Sequence, residues 1–261
     1  MFNTIRIKKE KGVCEIFLAR EKVHNAFNGE MIDELTKAFT DIKKDNNNRI
    51  VVISGMGKSF CAGADLVWMK DVVNYSFDEN IAESRKLSLL YDAIFTLPLP
   101  VIARVNGPAI GGGFGLVAVC DLILASEKSF FKLSEVKVGL VPAVISPYLL
   151  RKFGENRMRE LFLLGNKISA RQAFDLGFVH RIAAQEELDT VVQSIIVQLL
   201  ENSPQALKAC KELLFHIPQM NLMQAKEYAI DSIAKRRISS EGQEGMKSFL
   251  EKRKPAWVKK I

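Results

Sequence analysis

The sequence feature that most constrains this chain is a glycine-rich turn between a predicted strand and a predicted helix. Residues 105–121 read VNGPAIGGGFGLVAVCD, with a triplet at 111–113 and a fourth glycine, Gly115. The β-branched run before the turn predicts a buried strand, and residues 114–118 predict a short buried helix. Glycine lets a ligand approach the backbone closely, and a helix N-terminus presents unpaired N–H groups. The unit therefore predicts a site for negative charge, either a phosphate or an oxyanion.

The pattern around the triplet does not match the common nucleotide-binding motifs. GGGFG departs from the dinucleotide pattern G-x-G-x-x-G, and no acidic ribose partner follows about twenty residues later. The phosphate-loop motif fails because no Gly-Lys-Ser/Thr follows the glycines. Close packing of a helix on a strand would explain the glycines equally well, so the triplet alone leaves both interpretations open.

Two further motifs accompany the triplet in a fixed order. Residues 59–66, SFCAGADL, follow another predicted strand at 50–54, and residues 134–142 read SEVKVGLVP. Together with the glycine triplet, these motifs resemble the enoyl-CoA hydratase/isomerase (crotonase) superfamily. The resemblance extends from Asn25-Ala26 to the FLEKRKPAW tail at 249–257.

The resemblance implies an α/β fold, a crotonase-like spiral of ββα repeats with a C-terminal helical trimerisation region. Residues 1–198 would form the spiral core with the CoA site and the active site. Residues 199–261 would form a helical region for oligomerisation and for completing the CoA site, and the signal from residue 188 onward is helical almost throughout. Family members form trimers, and two trimers commonly stack as a hexamer.

The resemblance also implies three catalytic positions. In the family, two backbone N–H groups bind the thioester oxygen of an acyl-CoA, and the matching residues here are Ala64 and Gly112. Preorganised amides stabilise the negative charge of an enolised thioester, and losing one such donor typically costs about 3–4 kcal/mol. The hydratases usually add two glutamates, at the positions of Gly115 and Glu135, and this chain keeps only Glu135. An apolar pocket around Glu135 would raise its pKa, with Phe60, Phe130 and Phe131 as candidate walls.

The missing second glutamate leaves the reaction type open between hydration and isomerisation. Two carboxylates can hold a water between them, whereas one carboxylate is enough to move a proton from C2 to C4 of a 3-enoyl-CoA. Residues 139–148, GLVPAVISPY, instead resemble a subgroup that hydrates 3-methylglutaconyl-CoA or related acids in leucine or isoprenoid breakdown. In such a substrate we expect the distal carboxylate to help order water where Gly115 leaves room. Acyl-CoA decarboxylation and a catalytically inactive assembly subunit are further alternatives, and the intact Ala64, Gly112 and Glu135 argue against the latter.

Further positions are assigned to substrate binding by the same resemblance. Lys22 fits a phosphate contact, although an ordinary solvated lysine explains it as well. Asp65 is also expected to cap the next helical turn, and His24 is expected to be an exposed loop residue. The predicted CoA-binding residues are Lys22, Ala26, Ala62, Asp65, Leu66, Gly111, Gly115, Phe249 and Lys252, with Trp257 as a further candidate.

Composition sets limits on class and partners. The 261 residues are 48 % hydrophobic, enough for one large domain, and no apolar run reaches the length of a membrane span. The N-terminus lacks the apolar core of a signal peptide, so we expect a cytoplasmic protein. The formal charge of +7 suits an anionic ligand such as CoA. It also permits RNA binding, which we rank low because no RNA-recognition motif is present.

Cysteine and histidine usage predicts no cofactor beyond the CoA of the substrate. Cys14, Cys61, Cys120 and Cys210 lack paired spacing and are interpreted as reduced thiols. The three histidines are scattered and suggest no metal site.

Local patterns predict several elements. They indicate a hairpin of residues 4–8 and 13–18, a helix capped at Asn28 or Gly29, and helices near 78–96, 155–164 and 169–176. Residues 68–78 are less patterned and are expected to form a mobile flap over the acyl pocket, lined by Trp68, Met69 and Tyr75. Ser240 and Gln243 are expected to form the capping box of the last helix.

Overall fold

The structure is a computed structural model that describes residues 2–258, and strands of two sheets form its centre. The strands are β1 (Ile5–Glu10), β2 (Val13–Leu18), β3 (Ile50–Gly55), β4 (Val101–Val105), β5 (Ala109–Ile110), β6 (Leu122–Ser126), β7 (Phe130–Lys132), β8 (Lys167–Ser169) and β9 (Arg181–Ala183). The larger sheet has the order β1-β2-β3-β4-β6-β9, and the smaller has the order β5-β7-β8. β1 and β2 form the predicted antiparallel hairpin, and the other neighbours in the larger sheet are parallel.

Helices connect and cover the strands. They are α1 (Gly29–Lys44), α2 (Leu66–Val72), α3 (Phe77–Phe95), α4 (Gly112–Ala118), α5 (Ser146–Phe153), α6 (Glu155–Leu164), α7 (Ala170–Asp175), α8 (Leu188–Glu201), α9 (Pro204–His216), α10 (Leu222–Ile238) and α11 (Ser240–Leu250). Short 3-10 helices cover Glu21–Val23, Glu135–Val138 and Ile217–Gln219. The predicted helices at 155–164 and 169–176 correspond to α6 and α7.

The chain alternates between the two sheets as a ββα spiral does. β4 lies in the larger sheet, β5 in the smaller, and α4 then leads back to β6 in the larger sheet. β7 repeats the step into the smaller sheet, where it pairs with β5. Cys61 forms a parallel bridge to Ala109, which places the segment after β3 in the same position one turn earlier. The predicted spiral architecture is confirmed.

Burial explains why these elements form. All six residues of β3 are buried, as expected for a parallel strand covered on both faces. The apolar face of α1 is buried at Met31, Ile32, Leu35, Ala38, Phe39 and Ile42, in helical spacing. The Asn28 side chain accepts a hydrogen bond from the Met31 amide and begins α1. Cys14, Cys61 and Cys120 are buried free thiols, whereas Cys210 is exposed.

The C-terminal helices add little to the core of a single chain. α8 packs its Leu188, Val192 and Ile196 against the larger sheet, and the boundary drawn at 198/199 falls inside this helix. No residue of α9 or α10 is buried, and α11 buries only Ser248. Among residues 2–258, no helix is long and apolar enough to cross a membrane.

Two local predictions are wrong. Residues 68–78 are not an unpatterned flap, because α2 covers Leu66–Val72 and α3 begins at Phe77, each with its own cap. The extent of α2 escaped prediction because the helix buries no residue and so shows no apolar stripe, whereas the helix predicted near 78–96 corresponds to α3. The last helix is capped by Ser239, whose hydroxyl accepts from the Gly242 amide, one residue before the predicted cap.

Candidate active site

The glycine triplet is held between three different neighbours. Gly111 has φ +52°, a conformation that favours glycine, and an idealised Cβ on it would lie 3.2 Å from Oε1 of Glu135. A Cβ on Gly112 would lie 3.1 Å from the Phe27 ring. A Cβ on Gly113 would lie 2.5 Å from the carbonyl oxygen of Cys61, which leaves no space for it. The triplet therefore packs closely against Phe27 and Cys61, and it also lies beside the carboxyl group of Glu135.

The loop after β3 is tied to the segment before α1. The Phe27 amide donates to the Gly63 carbonyl, and the Asp65 amide donates to the Phe27 carbonyl, both at 2.7 Å. These bonds form a short parallel bridge between Phe27 and Ala64. Gly63, at φ +94°, makes the turn that this pairing needs. The bridge fixes Ala64 while its own amide points elsewhere.

The amides of Ala64 and Gly112 are unpaired. Within residues 2–258, neither N–H donates a hydrogen bond to a backbone or side-chain acceptor. Ala64 is exposed and Gly112 is half-buried, so a ligand can reach both. Their loops are adjacent, because the Ile110 amide donates to the Cys61 carbonyl at 2.9 Å. Two accessible amides on fixed backbone are what an oxyanion hole requires.

Glu135 places a carboxyl group beside these amides. It begins the 3-10 helix Glu135–Val138, and its Oε1 approaches the position that a Cβ on Gly111 would take. Its Oε2 is buried and has no hydrogen-bond partner among the described residues. Burial raises the pKa of the Glu135 carboxyl, and hydrogen bonds from the amides of Glu135 and Ser134 partly oppose the rise. The expected rise in pKa is therefore found, and it suits a group that accepts and returns a proton.

The candidate phenylalanine walls lie mostly in the core. Phe60 and Phe131 are fully buried, and Phe131 packs against Phe114 and Phe178. Phe130 is half-buried and lies under the ammonium group of Lys167. The burial of Glu135 is thus not explained by these three rings.

The space beside Gly115 is filled, and the expectation that Gly115 leaves room for water is wrong. An idealised Cβ on Gly115 would lie 2.2 Å from Cγ2 of Ile145 and 2.9 Å from the hydroxyl of Tyr91. Both side chains are buried, Tyr91 completely. They come from helix α3 and from the segment before α5, far from Gly115 in sequence, so no local pattern predicts them. A substrate carboxylate cannot order water in that position.

Arg20, which no sequence motif singled out, holds the loop between β3 and α2 against the segment before α1. Its guanidinium forms an ion pair with Asp65 at 2.8 Å and donates to the Ala26 carbonyl at 2.6 Å. Asp65 accepts from the Val67 and Trp68 amides, which confirms its role as the cap of α2. Burial acts to raise the pKa of Asp65, but the Val67 amide and Arg20 together hold that pKa below its ordinary value. The sequence feature that could have indicated this role is the position of Arg20, five residues before Asn25-Ala26.

The predicted CoA-binding residues near the N-terminus line one side of the same loop. The Ala62 amide donates to the His24 carbonyl at 3.0 Å, which joins this segment to the loop between β3 and α2, called the oxyanion loop because it carries the candidate oxyanion donor Ala64. Lys22 and His24 are exposed, and the His24 ring lies 3.0 Å from the Ser59 hydroxyl. Leu66 opens α2 and is 76 % exposed, an unusual value for a leucine beside a site. Ala26, Asp65, Gly111 and Gly115 are buried, so only their backbone atoms or edges are available to a ligand.

The C-terminal candidates are not brought to this site within one chain. The Trp257 carbonyl accepts from Arg49, the residue before β3, whereas the oxyanion loop follows the other end of β3. Trp257 packs on Gly245 of α11, the helix that contains Phe249, and Lys252 lies just beyond its end. Within residues 2–258, no hydrogen bond or ion pair links Phe249 or Lys252 to Ala64, Gly112 or Glu135.

The described residues offer no obvious metal centre. Among residues 2–258, no group of three or more His, Cys, Asp or Glu side chains is arranged to hold a metal ion.

Comparisons with known proteins agree with this geometry. The sequence model of a family described as Enoyl-CoA hydratase/isomerase matches residues 8–260. The solved structure of an enoyl-CoA hydratase from Shewanella pealeana is similar, with a TM-score of 0.95 and 36 % identity over 98 % of this chain and 96 % of that one. Enoyl-CoA hydratase ACTT6 of Alternaria alternata is 34 % identical over 81 % of this chain and 69 % of its own length. A trans-2-decenoyl-[acyl-carrier-protein] isomerase of Streptococcus mutans is 28 % identical over 99 % of both chains.

Proposed function

Because this chain belongs to the enoyl-CoA hydratase/isomerase family, we propose that it is a hydratase that adds water across the double bond of a 2-enoyl-CoA. The observation that carries the proposal is the pair of unpaired amides, on Ala64 and Gly112, beside the buried carboxyl group of Glu135. A thioester and a proton acceptor are the two partners that such a site accommodates.

The amide pair serves the thioester oxygen. When a nucleophile adds at C3 of an enoyl thioester, negative charge develops on that oxygen as the enolate forms. The N–H groups of Ala64 and Gly112 donate to it, and both sit on backbone that is already fixed before the substrate binds. Fixed donors need no reorganisation during the reaction, so they stabilise the transition state more than the ground state.

Glu135 then performs both proton transfers. As a carboxylate it accepts a proton from water while the water oxygen bonds to C3 and the C2=C3 electron pair moves toward the thioester. As a carboxylic acid it returns that proton to C2, which regenerates the carboxylate and leaves a 3-hydroxyacyl-CoA. A raised pKa suits this cycle, because it makes the carboxylate a stronger proton acceptor than an ordinary glutamate.

Isomerisation is the second candidate, and the filled space beside Gly115 favours it. Ile145 and Tyr91 occupy the position where a second carboxylate would act on water. Moving the double bond from C3=C4 to C2=C3 needs only one group, which removes a proton from C2 and delivers it to C4. Glu135 and the two amides are sufficient for that reaction.

The substrate is proposed to be held through its CoA group by the segments around Lys22, Ala26, Ala62 and Leu66. The formal charge of +7 favours the phosphates of CoA. Exposed apolar side chains near Glu135, namely Val138, Leu140 and Val141, offer surface for the pantetheine or acyl chain. We extend the proposal to a branched substrate such as 3-methylglutaconyl-CoA on the strength of residues 139–148 alone.

We also propose that the protein assembles as a trimer, or as a hexamer of two trimers. α10 exposes Met223, Ile230 and Ile233 on one face, and no residue of this 17-residue helix is buried. A helix with an apolar face and no core of its own gains stability by packing on another subunit. In such an assembly, Phe249 and Lys252 would complete the CoA site of a neighbour.

Paired assays on the purified protein test the proposal. Hydration of crotonyl-CoA and of 3-methylglutaconyl-CoA is measured beside isomerisation of a 3-enoyl-CoA, with products resolved by mass. We expect water addition that Glu135→Gln reduces by at least about a hundredfold, whereas Glu186→Gln, an exposed carboxylate away from the site, leaves it unchanged. Double-bond migration without a gain of 18 mass units, the mass of water, would establish the isomerase instead. Activity on none of the three substrates would contradict both candidates.

A further inference from the structure

Tyr91 makes a buried contact with the oxyanion residue Gly112. The Tyr91 side chain is 0 % exposed, and its hydroxyl donates to the Gly112 carbonyl oxygen at 2.8 Å. The same hydroxyl lies 3.2 Å from the position of a Cβ on Gly112 and 2.9 Å from that of a Cβ on Gly115. The Tyr91 hydroxyl therefore contacts the first turn of α4, which carries the Gly112 amide.

Gly112 depends on its surroundings for its orientation. Without a side chain, its peptide planes are less restricted than those of any other residue. Its amide is unpaired among residues 2–258 until a ligand arrives, and the Phe27 ring contacts it on another side. The hydrogen bond from Tyr91 is therefore a polar contact that acts on Gly112 whether or not a thioester is bound.

Tyr91 is itself well fixed. Its ring meets that of Tyr148 edge to face, with centroids 5.9 Å apart, and Ile145 shares the space beside Gly115. The Tyr148 hydroxyl in turn donates to Asp92 at 2.6 Å. Burial raises the pKa of Tyr91 well above its ordinary value, so the phenol keeps the proton that it donates at any working pH.

We propose that Tyr91 is a positioning residue for the oxyanion hole: its hydroxyl holds Gly112 so that the amide of that residue points at the thioester oxygen. The inference rests on the proposed function, because it assigns the role of Tyr91 to thioester activation at the same site. Tyr91 does not touch the reacting atoms, and it acts through Gly112.

The decisive variant is Tyr91→Phe, which removes the hydroxyl and keeps the ring in its packed position. We expect kcat to fall by about ten- to a hundredfold, because a small displacement of a catalytic donor has an effect of this size. KM should change by less than about twofold, since the CoA contacts lie on other segments. Tyr148→Phe is the matched control, because it removes a hydroxyl and its hydrogen bond from the adjoining ring without touching Gly112.

A spectroscopic measurement separates positioning from general loosening. A chromophoric thioester such as 4-(dimethylamino)cinnamoyl-CoA absorbs at longer wavelength when donors polarise its carbonyl group. We expect a clear red shift with the unaltered protein and with Tyr148→Phe, and a smaller shift at saturation with Tyr91→Phe. Equal shifts and equal kcat in Tyr91→Phe and the unaltered protein would overturn the role of Tyr91 and leave the proposed function intact. If the unaltered protein produces no red shift, the oxyanion hole itself is refuted, and the proposed function and the role of Tyr91 both fail.

Discussion

At the scale of single residues, the site depends on where side chains are absent. Each glycine of the triplet is confined by a different neighbour: Glu135 at Gly111, Phe27 at Gly112 and the Cys61 carbonyl at Gly113. Gly115, one residue beyond Phe114, is confined by Ile145 and Tyr91. A chain with larger residues at these positions would have to move Glu135, the side chains packed on the turn or the Cys61 backbone.

Gly115→Ala is therefore expected to destabilise the protein. The new Cβ would lie 2.2 Å from Cγ2 of Ile145, and overpacking of this kind typically costs about 1–3 kcal/mol. Ile145→Ala removes that methyl group, so the double variant should lose less stability than the sum of the two single variants. Denaturant unfolding of the four proteins gives the coupling free energy. Additive losses would show that Ile145 does not fill this space.

Glu135→Gln is expected to lower the activity of the protein and to raise its stability. Burial favours the protonated carboxyl, so at pH values above its raised pKa the charged form lowers the stability of the folded protein. Replacing it by an amide should raise the melting temperature at pH 7, by about 2–4 °C for each kcal/mol gained. The gain should shrink as the pH falls through the raised pKa toward the ordinary carboxyl value, because Glu135 then becomes neutral. A melting temperature that is lower at pH 7 than that of the unaltered protein would contradict this assignment.

At the scale of elements, the oxyanion loop is held from outside by one ion pair. Arg20 follows β2, and Asp65 begins α2, so their contact fixes the loop between β3 and α2 against the segment that precedes α1. The same arginine binds the Ala26 carbonyl, next to the bridge between Phe27 and Ala64. The position of the Ala64 amide thus depends on contacts made by residues outside its own loop.

Arg20→Gln is expected to lower both stability and activity. A hydrogen bond to a charged group contributes about 2 kcal/mol, and Asp65 would remain buried without its cation. Asp65→Asn keeps an acceptor for the Val67 amide but loses the ion pair, so it separates helix capping from charge. Because the pKa of Asp65 lies below its ordinary value, its contribution is present at neutral pH and is lost as pH falls through that depressed pKa. Thermal melts of both variants at pH 7 and at about pH 3, with kcat measured at pH 7, provide the check. Melting temperatures at pH 7 within about 1 °C of the unaltered protein would contradict it.

Elements with a local signal were predictable, and contacts between distant segments were not. Residues 155–164 were predicted as a helix, and Asn28 and Asp65 were predicted as caps, because capping residues and apolar spacing are local. The extent of α2 beyond its cap was not predicted, because the helix buries no residue. In the site, the positions of Ala64, Gly112 and Glu135 followed from motifs, whereas Tyr91 and Ile145 reach the site from separate elements through packing.

At the scale of the whole molecule, the proposed active site and helix α9 lie at opposite ends of the larger sheet. The oxyanion segments follow the carboxyl ends of β3 and β4, while Lys211 of α9 binds Asp121 and the Leu99 carbonyl near their amino ends. Phe215 of the same helix packs on Phe95 just before β4. The C-terminal region is therefore free to contact another subunit without covering the site of its own chain.

Ile233→Lys is expected to weaken the proposed assembly. Ile233 is 50 % exposed on α10, and burying a lysine ammonium in a subunit interface is unfavourable. Sedimentation should show the unaltered protein as a trimer or hexamer and the variant as smaller species. Lys235→Glu, a charge reversal at an exposed position on the opposite face of the same helix, is the control and should retain the assembly. An unaltered protein that sediments as a monomer would refute the assembly, and equal sedimentation of the three proteins would exclude Ile233 from its interface.

The filled space beside Gly115 has a consequence for the geometry of the product. If Glu135 both takes the proton from water and returns it, the hydroxyl group at C3 and the hydrogen at C2 must arrive on one face of the planar enoyl group. Ile145 and Tyr91, both buried, offer no acid on the other side of Gly115. Hydration in heavy water would then yield a single diastereomer of the 2-deuterio-3-hydroxyacyl-CoA, that of syn addition. Formation of the other diastereomer would show that Glu135 does not carry out both proton transfers.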